Sequence, residues 1–281
     1  MEKAGKRREL WVDISRGFAI VLVVLQHSCG SVYNSGIHID SVLPRMIEAI
    51  GVFHMALFML ISGFLFSFSY YIDGKICTQK LKTQFLNLCL IYTEYSIVRY
   101  IFKMIFNDQS NNPIDKWSIV KILYQAIDEL WFLYALIILY VISMLAMQLS
   151  WWKQCIALGC IASIIYIISG ENLPSSLNRA IQYLLYFNMG VLMREKIDTL
   201  KVKAGCKYLY LEMVIAVSLY VLYFSECIKM GAVNRILRIM IGCFMSKICV
   251  DIAMIIQRMA DRKHASDQNR GVLYNYLAVT H

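Results

Sequence analysis

The chain has 281 residues, of which 59% are hydrophobic and 17% charged, and its mean hydropathy is +0.55. That apolar content excludes an ordinary soluble domain, and the continuous apolar runs with only three prolines exclude a membrane β-barrel in favour of transmembrane helices, where each backbone amide is satisfied within its own segment. The net charge of +9 does not point to nucleic acid, because the basic residues cluster in short segments between apolar runs, as the cytoplasmic loops of membrane proteins do.

The first residues are basic through Lys3, Lys6, Arg7 and Arg8. The apolar run behind them is too long for a signal-peptide core and lacks a small-residue cleavage site, so an uncleaved anchor is expected. This first span, near 14–33, is preceded by Trp11-Val12-Asp13 and carries Arg16, Gly17 and His27. Arg16 and His27 are eleven positions apart. At ~100° and ~1.5 Å per residue they share one helix face, about 16 Å apart along the axis, and Asp13 falls within about 40° of that face. Ionisable groups in a span are costly against lipid and normally face a bundle interior or a wet cavity, which makes the stripe a site candidate. The bland alternative is an interfacial ion pair between Asp13 and Arg16, with His27 hydrogen-bonding between helices.

The second span, near 47–70, contains Phe53-His54-Met55-Ala56-Leu57-Phe58 and Ile61-Ser62-Gly63-Phe64. Ser62 and Gly63 can admit a close helix neighbour. Lys80 and Lys82 lead into the third span, near 84–106, which holds Glu94 and Arg99 at a five-residue spacing. That spacing is poor for an intrahelical pair, so each is expected to find a partner on another helix. The polar stretch from Asn107 to Asp128, with Pro113, is the longest outer-side connection and reads as a solvated loop or a lid. The fourth span, near 129–149, opens Glu129-Leu130-Trp131-Phe132-Leu133-Tyr134. Trp131 and Phe132 suit packing or interface anchoring, with sugar stacking as the functional alternative for Trp131. Further spans are expected near 154–169, 179–194, 208–228 and 236–257, and the run from Val272 to Val279 reads as the start of a ninth.

Nine cysteines, among them Cys29, Cys77, Cys89, Cys155, Cys160 and Cys243, form no CxxC pair and read as small apolar packing residues, with no metal implied. With the N-terminus inside, the inner segments hold 17 basic residues and the outer ones 7, with four more inside spans. That bias predicts a cytoplasmic N-terminus. No linker, low-complexity tract or internal repeat is visible, so the expected architecture is one all-α, polytopic helix bundle of about eight or nine spans.

Several ordered motifs resemble the acyltransferase-3 family of bacterial integral membrane acyltransferases, and its sugar O-acetylase members in particular. They are the basic start; Trp11-Val-Asp13-x-x-Arg16-Gly17 leading to His27; Phe53-His54-Met-x-Leu-Phe58 with Ile61-Ser62-Gly63-Phe64; Leu130-Trp131-Phe-Leu133; and Tyr186-Phe-Asn-Met-Gly190. The chain departs from the family pattern in three places. Lys80 and Lys82 stand where members often show two arginines three apart, Ala56 replaces a common proline, and Tyr276 to His281 only faintly echoes the family's last motif, so the chain reads as short at its C-terminus.

The resemblance implies transfer of an acetyl or similar acyl group from a cytoplasmic acyl-CoA, such as acetyl-CoA, to a hydroxyl of a cell-surface polysaccharide or exopolysaccharide sugar. It implies a multi-pass protein of the bacterial inner membrane whose partners are the donor, the glycan and the bilayer. Within that frame His27 is the candidate base, since an imidazole titrates near ~6.5 and accepts a proton at neutral pH. Arg16 is the candidate donor anchor, always charged and able to hold a pyrophosphate. Asp13 fixes Arg16, and His54, Ser62, Gly63, Lys80, Lys82 and Trp131 are candidate substrate contacts. Ser28 and Cys29 point to other helix faces than His27, which favours direct transfer over an acyl-enzyme. Two other readings of the chain stay open from the residues alone: a transporter or flippase for a glycolipid or acyl carrier, and a truncated membrane sensor.

Overall fold

A computed structural model describes residues 9–34, 42–72, 75–107, 118–122, 126, 130–149, 152–170, 175–203, 205–225 and 231–279. The basic start, most of the Asn107 to Asp128 connection, Glu129 and the C-terminal His281 lie outside the described residues.

The described chain is helical: α1 (Leu10–Asn34), α2 (Val42–Tyr70), α3 (Thr78–Ile105), α4 (Ser118–Lys121), α5 (Trp131–Leu149), α6 (Trp152–Ser169), α7 (Ser175–Met193), α8 (Ile197–Lys203), α9 (Cys206–Phe224) and α10 (Gly231–Val279). Between α2 and α3 two short strands, β1 (Tyr71–Ile72) and β2 (Lys75–Ile76), pair antiparallel with Tyr71 opposite Ile76 and Ile72 opposite Lys75. Three stretches, Leu10–Tyr33, Val42–Ser69 and Gly231–Lys263, are long and apolar enough to cross a membrane, and Trp131–Leu145, Ile156–Ser169 and Tyr208–Phe224 are shorter apolar helices. The protein is therefore an all-α, multi-pass membrane protein.

Several helices begin earlier than the hydropathy marks. α2 starts at Val42 rather than near 47, with Pro44 in its first turn, where a missing N–H costs nothing. α10 runs without a break to Val279, so the run that reads as a ninth span is the tail of the eighth span's helix. A hydropathy scan sees the polar stretch around Arg258 to Arg270 as an interruption, whereas an α-helix outside the bilayer accommodates it.

The described residues divide into two compact units. One draws on residues 1–58, 196–225 and 240–281, the other on 59–195 and 226–239. In the first unit α1 is latched at its inner end. The backbone N–H of Trp11 donates to Gln257 Oε1 at 2.8 Å, Lys201 Nζ bonds both carboxylate oxygens of Glu9 at 2.7 and 2.8 Å, and Arg258 donates to the carbonyl of Lys201. These contacts join the N-terminal segment, α8 and the far part of α10, which the basic-residue count assigns to one side of the membrane. At the other end the Tyr220 hydroxyl donates to the carbonyl of Ala49 at 2.8 Å and that of Tyr223 to Glu48 at 2.7 Å. Between α9 and α10, Lys247 Nζ bonds Glu212 and also Asp251, the latter at 2.8 Å.

In the second unit α6 and α7 pack side by side with α5 against both. An aromatic core of Phe66, Tyr140 and Phe187 fills the centre, with ring centroids 4.8 to 5.9 Å apart. α3 docks on α5 through Tyr92 and Tyr134, 5.5 Å apart, and the Tyr92 hydroxyl donates to the carbonyl of Ile122 at 2.7 Å. The two small-residue motifs singled out above meet here. A methyl on Gly63 of α2 would stand 1.9 Å from the carbonyl oxygen of Phe187 in α7, and one on Gly190 would stand 1.8 Å from that of Leu60. Backbone therefore lies on backbone, the close approach that small residues permit in membrane helices.

Candidate functional site

α1 presents Arg16 and His27 on its exposed side, eleven residues apart and so on one face, about 16 Å from each other along the axis. The flank beside this face, with Trp11, Val12, Ser15 and Ala19, is buried. Asp13 is half-buried and engaged with its surroundings. The ionisable stripe thus lies along the exposed edge of the helix, outside the packed core of the first unit.

His54 differs in kind. It is 5% exposed, and its Nδ1 sits 2.9 Å from the carbonyl oxygen of Ile50. A carbonyl only accepts, so Nδ1 carries the proton and Nε2 the lone pair of the neutral ring. α1 approaches α2 one turn away from His54, where a methyl on Gly51 would stand 3.0 Å from Gln26 Nε2. His27, the residue after Gln26, lies close enough to His54 for the two rings to interact electrostatically. The structure therefore brings His27 and His54 into one neighbourhood of the first unit. Spacing alone paired Arg16 with His27 and said nothing of this second imidazole's proximity.

The remaining candidates belong to the second unit. Lys80 and Lys82 are exposed in the first turn of α3. Ser62 is half-buried and engaged, and Gly63 is buried in the helix contact with Phe187, a packing role. Trp131 stacks on Tyr183, centroids 5.6 Å apart at 24°, and carries the Arg179 guanidinium 4.2 Å from its ring centroid. Of the two charges in the third span, Arg99 is engaged and borders a cavity of about 220 Å³ with Tyr95, Val98, Phe102 and Leu130. Glu94 is exposed, with no ion pair among the described residues.

Two polar groupings stand out that the linear reading passed over. One is Lys247 with Glu212 and Asp251, whose sequence signal was a lysine and an aspartate one helical turn apart inside an apolar run. The other gathers Arg179, Arg235 and Arg238 near Trp131 and Tyr183, and its members are scattered over more than a hundred positions.

Comparison with protein-family models matches the acyltransferase domain of the acyltransferase-3 type over residues 9–256. Neither the comparison with curated proteins nor that with solved structures gives a match.

Proposed function

Because the chain belongs to the acyltransferase-3 family and is an acyltransferase of the membrane, we propose that it moves an acetyl or similar acyl group from a cytoplasmic acyl-CoA to a hydroxyl of a cell-surface or exopolysaccharide sugar. The bilayer involved is the bacterial inner membrane, with the N-terminus on the cytoplasmic side, as the 17-to-7 distribution of basic residues argues. The observation that carries the proposal is the placement of Arg16 and His27 on one exposed face of α1, with the buried His54 beside His27.

Acyl transfer from a thioester needs a base for the acceptor hydroxyl, an anchor for the donor and a donor of hydrogen bonds to the developing oxyanion. His27 takes the proton as the hydroxyl oxygen bonds to the thioester carbon. The C–S bond breaks, and the proton passes to the departing thiolate. Arg16 holds the diphosphate of the donor, and the distance of about 16 Å between the two residues suits an extended pantetheine arm. Asp13 keeps Arg16 in place. His54, with its proton on Nδ1, offers Nε2 as an acceptor to His27 or to the sugar hydroxyl.

Alanine at His27 is expected to lower kcat by about a hundredfold or more, the usual contribution of a general base, with the membrane level unchanged. Alanine at Arg16 is expected to raise the KM for acyl-CoA more than it lowers kcat. Both are read from radiolabelled acyl transfer to surface polysaccharide in membranes. Undiminished transfer by His27→Ala would remove the proposed base.

A further inference from the structure

Around the outer ends of α5, α6, α7 and α10 the second unit assembles three arginines. Arg179 lies on the Trp131 ring, 4.2 Å from its centroid. Arg235 donates Nε and Nη2 to the carbonyl of Ile167 at 3.1 and 2.8 Å, which caps the last turn of α6, and its guanidinium lies against Gly170. Arg238 is one turn further along α10. Tyr183 sits among them, close enough to both Arg179 and Arg238 to interact with their charges, and Tyr186 donates to the carbonyl of Ile239 at 3.2 Å, tying α7 to the same turn of α10.

Two features separate this grouping from ordinary interface anchoring. Among the described residues none of the three arginines is paired with a carboxylate, so the positive charge is not cancelled within the described fold. Several polar atoms in the same helix segments are also buried without a hydrogen-bond partner: Arg238 Nε, Asn234 Oδ1 and Asn178 Oδ1. An orphaned buried donor or acceptor costs free energy until something satisfies it. Arg238 Nε is thus a donor left unsatisfied on the same helix segment as Arg235. The Trp131 ring already carries Arg179, so its role is to hold that guanidinium in place, with its N–H edges free to meet an anion, and not to serve as an open stacking surface.

We propose that this arginine cluster is a binding site for an acidic sugar, one bearing a carboxylate or a phosphate, and that the acceptor glycan of the enzyme is of this anionic class. The second half of the proposal rests on the acyl-transfer reading above; the first does not. Arg179 and Arg238 supply charge-assisted hydrogen bonds to the anionic group. The segments involved are those that the basic-residue count places on the outer side, where a surface glycan is met.

The test is binding of glucuronic acid, glucose 1-phosphate and glucose to the full-length protein in phosphatidylcholine nanodiscs, read by tryptophan fluorescence and by ligand-observed NMR. At least one of the anionic sugars is expected to bind about tenfold or more tightly than glucose, as one charge-assisted hydrogen bond would confer. Arg238→Gln is expected to erase that preference and Arg238→Lys to retain part of it, with the thermal midpoint of each variant confirming the fold. Sugar binding is measured without acyl-CoA, so that it reads this site apart from acyl transfer and keeps failure of this site distinct from failure of the transfer reading. Equal binding of all three sugars, or an unchanged preference in Arg238→Gln, overturns the proposal. So does full displacement of the sugar when phosphatidylglycerol replaces phosphatidylcholine, since the site would then serve a lipid headgroup.

Discussion

At Gly63 and Gly190 there is no room for even one methyl group, because the carbonyls of Phe187 and Leu60 stand within 1.9 Å of where it would lie. Alanine at either position must push two helix backbones apart. Each substitution is expected to cost about 1–3 kcal/mol, the usual range for overpacking, read as a lower thermal midpoint of the detergent-solubilised protein. Gly17 and Gly30 of α1 have nothing within 4 Å of the same construction, so Gly17→Ala and Gly30→Ala are expected to leave the midpoint in place. A drop as large in Gly17→Ala as in Gly63→Ala would contradict this geometry. The adjacency of Ser62 and Gly63 showed in the linear chain that a close neighbour was admitted, but not which one. Gly190 lies 127 positions away, and no local pattern encodes that pairing. The stripe of Arg16 and His27 was legible because helix periodicity is local. The approach of His54 was not, because it depends on how α1 crosses α2 at Gly51 and Gln26.

Among the elements, α9 and α10 are joined by a polar contact inside largely apolar sequence. Lys247 serves two carboxylates, Glu212 with 13% and Asp251 with 5% of their side chains exposed. Removal of the shared cation leaves two acids facing each other with little water, whereas removal of all three charges leaves nothing uncompensated. Lys247→Met is therefore expected to destabilise the protein by roughly 2 kcal/mol, and the triple variant Lys247→Met, Glu212→Gln, Asp251→Asn is expected to regain most of it. Thermal unfolding in detergent compares the two, and a triple variant as unstable as the single one would show that the charges are not the cause. Lys247 and Asp251 are visible as a pair one turn apart. Glu212 is not, since it sits 35 residues earlier on another helix. The tail of α10 was misread for a related reason: hydropathy reports where a helix leaves lipid, not where it ends.

For the whole molecule, the membrane assignment and the helical class were readable from composition, because the bilayer admits few architectures and each demands long apolar runs. Orientation rests on charge counting and has a direct check. α10, with 49 residues, is about 73 Å long, more than twice the ~30 Å hydrocarbon layer, so its far end stands well outside the bilayer. A cysteine introduced by Ser266→Cys is expected to react with an impermeant maleimide only after cells are permeabilised, and one introduced by Ser110→Cys is expected to react in intact cells. The reverse pattern would invert the topology and, with it, the side from which donor and acceptor arrive.

The latch at the inner end of α1 also bears on how the protein is made. Trp11 and Gln257 are 246 residues apart, and Glu9 and Lys201 are 192 apart. At bacterial synthesis rates the first interval takes about 12–50 s. Throughout that time the first helix waits in the bilayer, its polar end without the glutamine that completes the latch. The chain closes on itself fully only when its last helix arrives, so a ribosome that stalls after Lys201 but before residue 257 leaves the first helix with its Glu9–Lys201 pair and without the Gln257 contact.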